Sequence, residues 1–256
     1  MPLADSSPSA GTPSAGTPST GAASRPRSTR DRPAKSPLSE EAIVDAGQAI
    51  LQSEGLGAVT MRRVARALDT GASSLYVYVP NREGLLSLML DRVLATIELE
   101  SPDPSRWRAQ LHSLLRRMHR ALIAHPGIAA ITLADPATTE TMLSVVENLL
   151  GILLAGGLDA QDAAWACDTV VLLVTGAAHE EEMRRFNPDS PQQQIDELYG
   201  LFTRLPDDRF PLLSTHAREM LAGDGDERFR FAVDLVVDGL VARAARRGAD
   251  PEASPS

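Results

Sequence analysis

From Leu38 to about residue 246 the apolar side chains return every three or four positions, in blocks cut by proline and glycine. That period restricts the chain to helices packed on helices. The first block carries Ala42, Ile43, Ala46, Ile50 and Leu51; it opens at Ser39, a hydroxyl N-cap followed by Glu40 and Glu41, and stops at Glu54-Gly55. Strand-type alternation is scarce. Hydrophobic residues make up 43% of the chain and aromatics only 4%, so aliphatic packing on good helix formers must fill the core. The expected fold class is all-α.

Three short elements follow the first. Thr60 caps a helix bearing Met61, Val64, Ala65 and Leu68, which stops near Asp69-Thr70-Gly71. Ala72, Leu75, Tyr76 and Val79 make a third, closed by Pro80, which disfavours a helical conformation at Val79. Asn81 caps a fourth, running through Leu85, Leu88, Met89, Val93 and Ile97 towards Glu100. Beyond Ser101-Pro102-Asp103-Pro104 the spacing predicts helices over roughly 105–124, 126–132, 137–155, 160–185, a weaker 192–203, 211–222 and 226–246. The chain divides into a basic tail at 1–37, a small three-helix domain at 38–84, a larger helical domain at 85–248 and a short tail at 249–256.

The formal net charge is −9, which taken over the whole chain argues against a nucleic-acid partner, but the charge is uneven. Residues 1–37 carry Arg25, Arg27, Arg30, Arg32 and Lys35 against Asp5 and Asp31 in a Ser-, Pro- and Gly-rich setting that cannot bury enough surface to order. These arginines suit either a minor-groove arm or a solvated tail. Acidic runs such as Glu180-Glu181-Glu182 lie far downstream. The single cysteine, Cys167, excludes an intramolecular disulfide framework and reads as a small buried apolar residue in a reducing compartment. No basic-then-apolar leader and no apolar run of membrane-spanning length is present, so a cytoplasmic protein without a membrane partner is expected.

Two short helices joined by a tight turn, the second opening on Gly71, Ala72, Ser73 and Ser74, are what a DNA-reading helix-turn-helix needs: close approach to base edges without bulk. By pattern alone a fragment of a helical bundle is the competing reading.

The stretch Thr60-Met-Arg-Arg-Val-Ala-Arg-Ala-Leu, continued by Gly71-Ala-Ser-Ser-Leu-Tyr-Val-Tyr-Val-Pro-Asn-Arg-Glu-Gly-Leu-Leu86, resembles the TetR family of transcriptional repressors. Trp107, the Ala-His-Pro at 124–126, and Pro211-Leu-Leu through Phe229-Arg-Phe-Ala-Val-Asp-Leu-Val-Val-Asp-Gly-Leu240 fall in register with the branch containing the tetracycline repressor. Resemblance spans 39 to about 246 and is weakest between 184 and 208.

The resemblance implies a homodimer that binds palindromic double-stranded operator DNA and is released by a small molecule. It places Thr60 and Asn81 on phosphates, Arg62 on a guanine edge, Ser73 and Ser74 against bases, Tyr76 on thymine methyls or backbone, and Tyr78 and Arg82 on phosphates that fix register. Gly71 and Ala72 open the reading helix. Asp69 stands where the family has glycine, and Asp tolerates the left-handed conformation. Arg63 and Arg66 read as solvated helix-surface charges.

In that branch a histidine holds the drug-bound magnesium, and the matching position here is Thr132; drug-binding positions become Glu98, Leu114 and Met118. Glu180 alone is a poor site for a hard cation. No metal and no cofactor is therefore expected, and the effector reads as an apolar or amphipathic organic molecule near Glu98, Leu114, Met118, Thr132, Met142, Thr175 and His179, each of which also suits plain core.

Dimer contacts are expected from Trp165, Val170, Leu173 and Val174 on one helix and Phe231, Leu235, Val236 and Leu240 on another; an intrachain core is the alternative use of these stripes. The dimer would set half-site centres one to two helical turns apart. A helical carrier or enzyme without DNA binding is the competing function, but the histidines are scattered and no nucleophile–base spacing or glycine-rich phosphate loop stands out.

Overall fold

The computed structural model describes residues 37–134, 139–186 and 190–249, and among them the regular structure is helical throughout, as expected. The expectations for the tails at 1–36 and 250–256 lie outside the described residues. Helices α1 (Glu40–Glu54), α2 (Met61–Ala67), α3 (Ala72–Leu75) and α4 (Arg82–Leu94) come first. They are followed by α5 (Trp107–Ala124), α6 (Ile128–Ala134), α7 (Glu140–Ala155) and α8 (Ala160–Phe186). The chain ends in α9 (Pro191–Phe202), α10 (Pro211–Thr215), α11 (Ala217–Leu221) and α12 (Gly225–Ala249).

Side-chain caps set the starts. Ser39 Oγ accepts from Ala42 N at 3.1 Å, Thr60 Oγ1 from Arg63 N at 3.2 Å, and Asn81 Oδ1 from Gly84 N at 2.7 Å, each satisfying a donor the helix cannot. Ser190 and Gln193 close a reciprocal capping box on α9.

At three boundaries the departure from the periodicity has a local cause. The third helix is a single turn, because Tyr78 N and Val79 N both bond back to Leu75 O at 2.9 Å and Pro80 blocks continuation. Helix α4 ends at Leu94, where Thr96 Oγ1 donates to Val93 O at 2.7 Å in competition with the helix ladder; Ile97 is still buried, which is why its spacing read as helix. The stretch 211–222 breaks at His216 into α10 and α11, at a Ser-Thr-His run of weak helix formers.

The core is continuous. Helix α4 buries Leu85, Leu86, Met89, Leu90, Val93 and Leu94 and touches α1, α5, α6 and α7. Helix α8 runs beside α5, α6, α7 and α12. Cys167 is buried here, and desolvation pushes its thiol up to about 11, so it is an inert apolar residue as expected.

Gly127, at the turn into α6, adopts a φ of 90°, and a Cβ there would overlap the Leu51 isobutyl group at the end of α1. Gly127→Ala therefore suffers left-handed strain and a clash together, an expected loss of about 2–5 kcal/mol in urea unfolding. Adding Leu51→Ala should return the clash part but not the strain part.

His119 on α5 stacks on Phe229 of α12 at a 4.0 Å centroid separation and 13° between planes. Burial drives its pKa below 6.5, outweighing the attraction of Asp226 and Glu181, while Arg185 adds to the lowering. A neutral folded histidine takes up no proton where the unfolded chain does, so stability is intact above 6.5 and falls as pH drops below it. Urea midpoints measured at pH 7.5 and 5.5 should separate less in His119→Gln than in the parent protein; an identical separation would rule this group out.

Candidate nucleic-acid interface and effector domain

The helix-turn-helix is built around a small apolar seam. Val64 and Ala65 of α2, Leu75 of α3 and Val79 beyond it are buried, which fixes the single-turn α3 that could not persist alone. Asp69, with φ 50°, is the one non-glycine residue at positive φ among those described, so the turn is made with aspartate in the left-handed conformation. Gly71 caps α3 without a side-chain bond.

The buried seam leaves an outer face. Arg62, Gly71, Ser73, Tyr76, Tyr78 and Asn81 are exposed, with Ala72 and Ser74 half-buried beside them. Among the described residues Arg62 and Arg66 are exposed and form no ion pair, and both border a shallow concavity with Ala65, Thr70, Gly71 and Ala72. Arg63 differs: its Nη2 lies 2.5 Å from Glu54 Oε1 and its Nε 3.2 Å from Oε2, a hydrogen bond that holds the guanidinium's pKa up. Arg63 is thus a surface charge, as expected, but one paired with Glu54 across α2 and α1.

Arg82, expected on a phosphate, has Nε donating to Val59 O at 2.7 Å and Nη2 to Leu56 O at 3.1 Å, so one edge of the guanidinium is spent inside the chain. Val77, which no expectation named, is 80% exposed between the two tyrosines.

The expected effector residues spread differently from the resemblance. Leu114, Met118 and Thr175 are buried in close-packed core, Thr132, Met142 and His179 are half-buried, and Glu98 is exposed. Thr132 Oγ1 bonds back to Ile128 O at 3.3 Å. A cleft of about 570 Å³ opens elsewhere, between α5, α8 and α12, walled by His119, Ile123, Leu172, Gly176 and Phe229. A second, of about 730 Å³, lies between the end of α8, α9, α11 and the start of α12, with Ile195, Leu198 and Leu221 among charged groups. None of the seven expected residues lines either; Leu114 and Met118 are buried in the core and Met142 packs against it, while Glu98 points to solvent.

A polar cluster was also missed. Arg117 Nη1 donates to Glu100 Oε1 at 2.9 Å and Asn148 Nδ2 to Glu100 O at 2.7 Å. The Arg117 hydrogen bond, then Arg106, holds the Glu100 carboxyl below its ordinary pKa. Arg117 Nε and Nη2 and Asn148 Oδ1 remain buried without a hydrogen-bond partner among the described residues. Their sequence signal is nil, since Arg117 is one of many arginines on α5.

The expected dimer stripes divide in two. Val170, Val174 and Leu240 belong to the chain's own core, with Leu173 and Val236 half-buried, while Trp165, Phe231 and Leu235 are each more than half exposed. Leu172, not foreseen, joins the exposed set at 64%. The period marked both faces of α8 and α12 as apolar; only packing tells which face is used within the chain. Arg243 Nη1 meets Asp162 Oδ1 at 2.5 Å, tying the end of α12 to the start of α8 and setting the two helices antiparallel.

Residues 43–89 match the family of bacterial regulatory proteins described as the tetR family, and residues 101–244 match the tetracyclin repressor-like C-terminal domain. The transcriptional repressor DrrR1 of Streptomyces coeruleorubidus is 30% identical over 227 residues, 85% of this chain and 84% of that protein. The class D tetracycline repressor of Escherichia coli is 24% identical over 208 residues, 79% of this chain and 89% of its own. Among solved structures, apo ActR of Streptomyces coelicolor superposes with a TM-score of 0.73 at 34% identity, covering 82% of this chain and 98% of that one. ActR in complex with actinorhodin gives 0.74 at the same identity, covering 81% and 97%. The exposed helix-turn-helix face on a larger helical domain has its counterpart in these proteins: the chain belongs to the tetR family of bacterial regulatory proteins and is a DNA-binding transcriptional regulator with a tetracycline-repressor-type C-terminal domain.

Proposed function

We propose that the chain acts as a homodimeric repressor, binding a two-fold-symmetric operator in the cytoplasm and released from it by a small organic effector. The observation that carries the reading is the segregation of the helix-turn-helix: Leu75 and Val79 are fully buried while Arg62, Ser73, Tyr76, Val77 and Tyr78 stand on the outer face. On this reading Arg62 forks onto a guanine edge, Ser73 and Ser74 approach bases, and Tyr76 and Val77 supply apolar contact to thymine methyls. Thr60, Tyr78 and Asn81 bond phosphates, aided by the N-terminal amides of α2 and α4. Arg66 adds a sequence-independent attraction.

Trp165 and Leu172 on α8 and Phe231 and Leu235 on the antiparallel α12 are each more than half exposed, and a second copy of the same surface is the simplest cover. The effector enters the cleft between α5, α8 and α12, where Ile123, Leu173 and Phe229 supply apolar contact and His119 a polar group. Actinorhodin, bound by the similar ActR, is the first molecule to try. Among the described residues no helix is long and apolar enough to cross a membrane, which suits this role.

On an operator selected from random duplexes, Arg62→Ala should cost about 1–3 kcal/mol and flatten discrimination at one base pair per half-site. Arg63→Ala, whose partner is Glu54, should move affinity by no more than about 0.5 kcal/mol; fluorescence anisotropy at fixed salt compares the two. Equal losses on every sequence for Arg62→Ala would remove it from base readout. Phe231→Glu together with Leu235→Glu should yield monomers by sedimentation equilibrium, with operator affinity reduced at least tenfold; a dimer surviving both charges would place the interface elsewhere.

A further inference from the structure

Arg82 is the first residue of α4, and its guanidinium reaches back 23 and 26 residues to the carbonyls of Val59 and Leu56. The chain it closes off, Thr60 to Asn81, is the whole helix-turn-helix. Both ends of that closed segment are helix caps: Thr60 for α2, through Arg63 N, and Asn81 for α4, through Gly84 N. Leu56 O also accepts from Val59 N, so the guanidinium grips a carbonyl turn already tightened by its own backbone.

We propose that Arg82 is a positioning residue for DNA binding, a staple that fixes the N-terminus of α2 against that of α4 and so holds the intervening reading turn in register, and that it makes no phosphate contact of its own. The inference rests on the DNA-reading role proposed above. Three features support it. The Nε–Val59 O bond at 2.7 Å is short and charge-assisted, and Nε and Nη2 present two parallel donors to the two carbonyls, a fork that the divergent N–H groups of an ammonium match less well. The side chain is half-buried where Arg62 and Arg66 are exposed. Helix α3, one turn long, has no internal means of holding its angle, so the separation of the flanking N-termini decides where Ser73 and Tyr76 point.

A phosphate ligand and a staple respond differently to conservative change. Lysine keeps the charge and would serve a phosphate, but its single nitrogen replaces the two parallel donors, Nε and Nη2, that meet Val59 O and Leu56 O. The probes are an operator selected from random duplexes by the wild-type protein and one unselected duplex, titrated from 50 to 300 mM salt against wild type, Arg82→Lys and Arg82→Gln. The staple requires both variants to lose about tenfold on the operator, the scale of one charge-assisted hydrogen bond, with the slope of log affinity on log salt unchanged because no phosphate contact is lost. Amide exchange should quicken within 60–81 and stay as in wild type across α5 to α8. Wild-type affinity in Arg82→Lys, a slope lower by about one in Arg82→Gln, or unchanged affinity in both overturns the proposal. So does loss of helicity throughout the chain, which would make Arg82 a residue of the general fold. If wild type selects no operator, it is the DNA-reading role that fails, a result separable from all of these.

Discussion

Helix α4 is the element on which the rest of the structure depends. Six of its apolar side chains are buried, and they face two directions: towards α1 in the small N-terminal domain and towards α5, α6 and α7 in the large one. A Cβ at Gly47 of α1 would stand 2.9 Å from Met89 Sδ, so the glycine is what lets the two helices approach. Polar ties hold α4 on both sides. Arg92 meets the Asp45 carboxylate and the Glu41 carbonyl on α1, and the Thr139 hydroxyl, which also caps α7, donates to the Asp91 carboxylate. Each such surface pair is worth little alone. Set beside a shared apolar core, they make a displacement of α4 against α7 a displacement of the N-terminal domain as well.

The arginines of that domain show how one residue type is put to different ends. Arg62 and Arg66 are turned outward and unpaired among the described residues, Arg63 is neutralised by Glu54, and Arg82 is absorbed by two carbonyls. A net charge of −9 therefore says little about the outer face of α2 and α3, where the free charges are positive. Coulomb attraction to a polyanion is a local matter at physiological salt, because contributions beyond about 8 Å are screened.

The same separation of uses appears in the large domain. Helices α8 and α12 are apolar on two faces, one spent on α5, α6 and α7 and one left outward at Trp165, Leu172, Phe231 and Leu235. The His119–Phe229 stack seals α12 against α5 and floors the cleft beside this outward face. The clefts lie away from Leu114, Met118 and Thr175, whose side chains already fill the space the resemblance assigned to a ligand.

What the sequence determined by itself was whatever depends on local spacing: the all-α class, the caps at Ser39, Thr60 and Asn81, the left-handed Asp69, and the small residues that open α3. These are set by interactions within four residues along the chain, so the pattern of letters carries them. The tertiary structure alone decided which of two apolar faces is core, as at Val170 against Leu172, and where a long side chain spends its hydrogen bonds, as at Arg82 and Arg63. It also decided where closely spaced helices leave clefts. The reason is distance along the chain: Arg82 finds its carbonyls 23 and 26 residues away and Arg243 its carboxylate 81 away, and no local period reports on partners that only packing brings together.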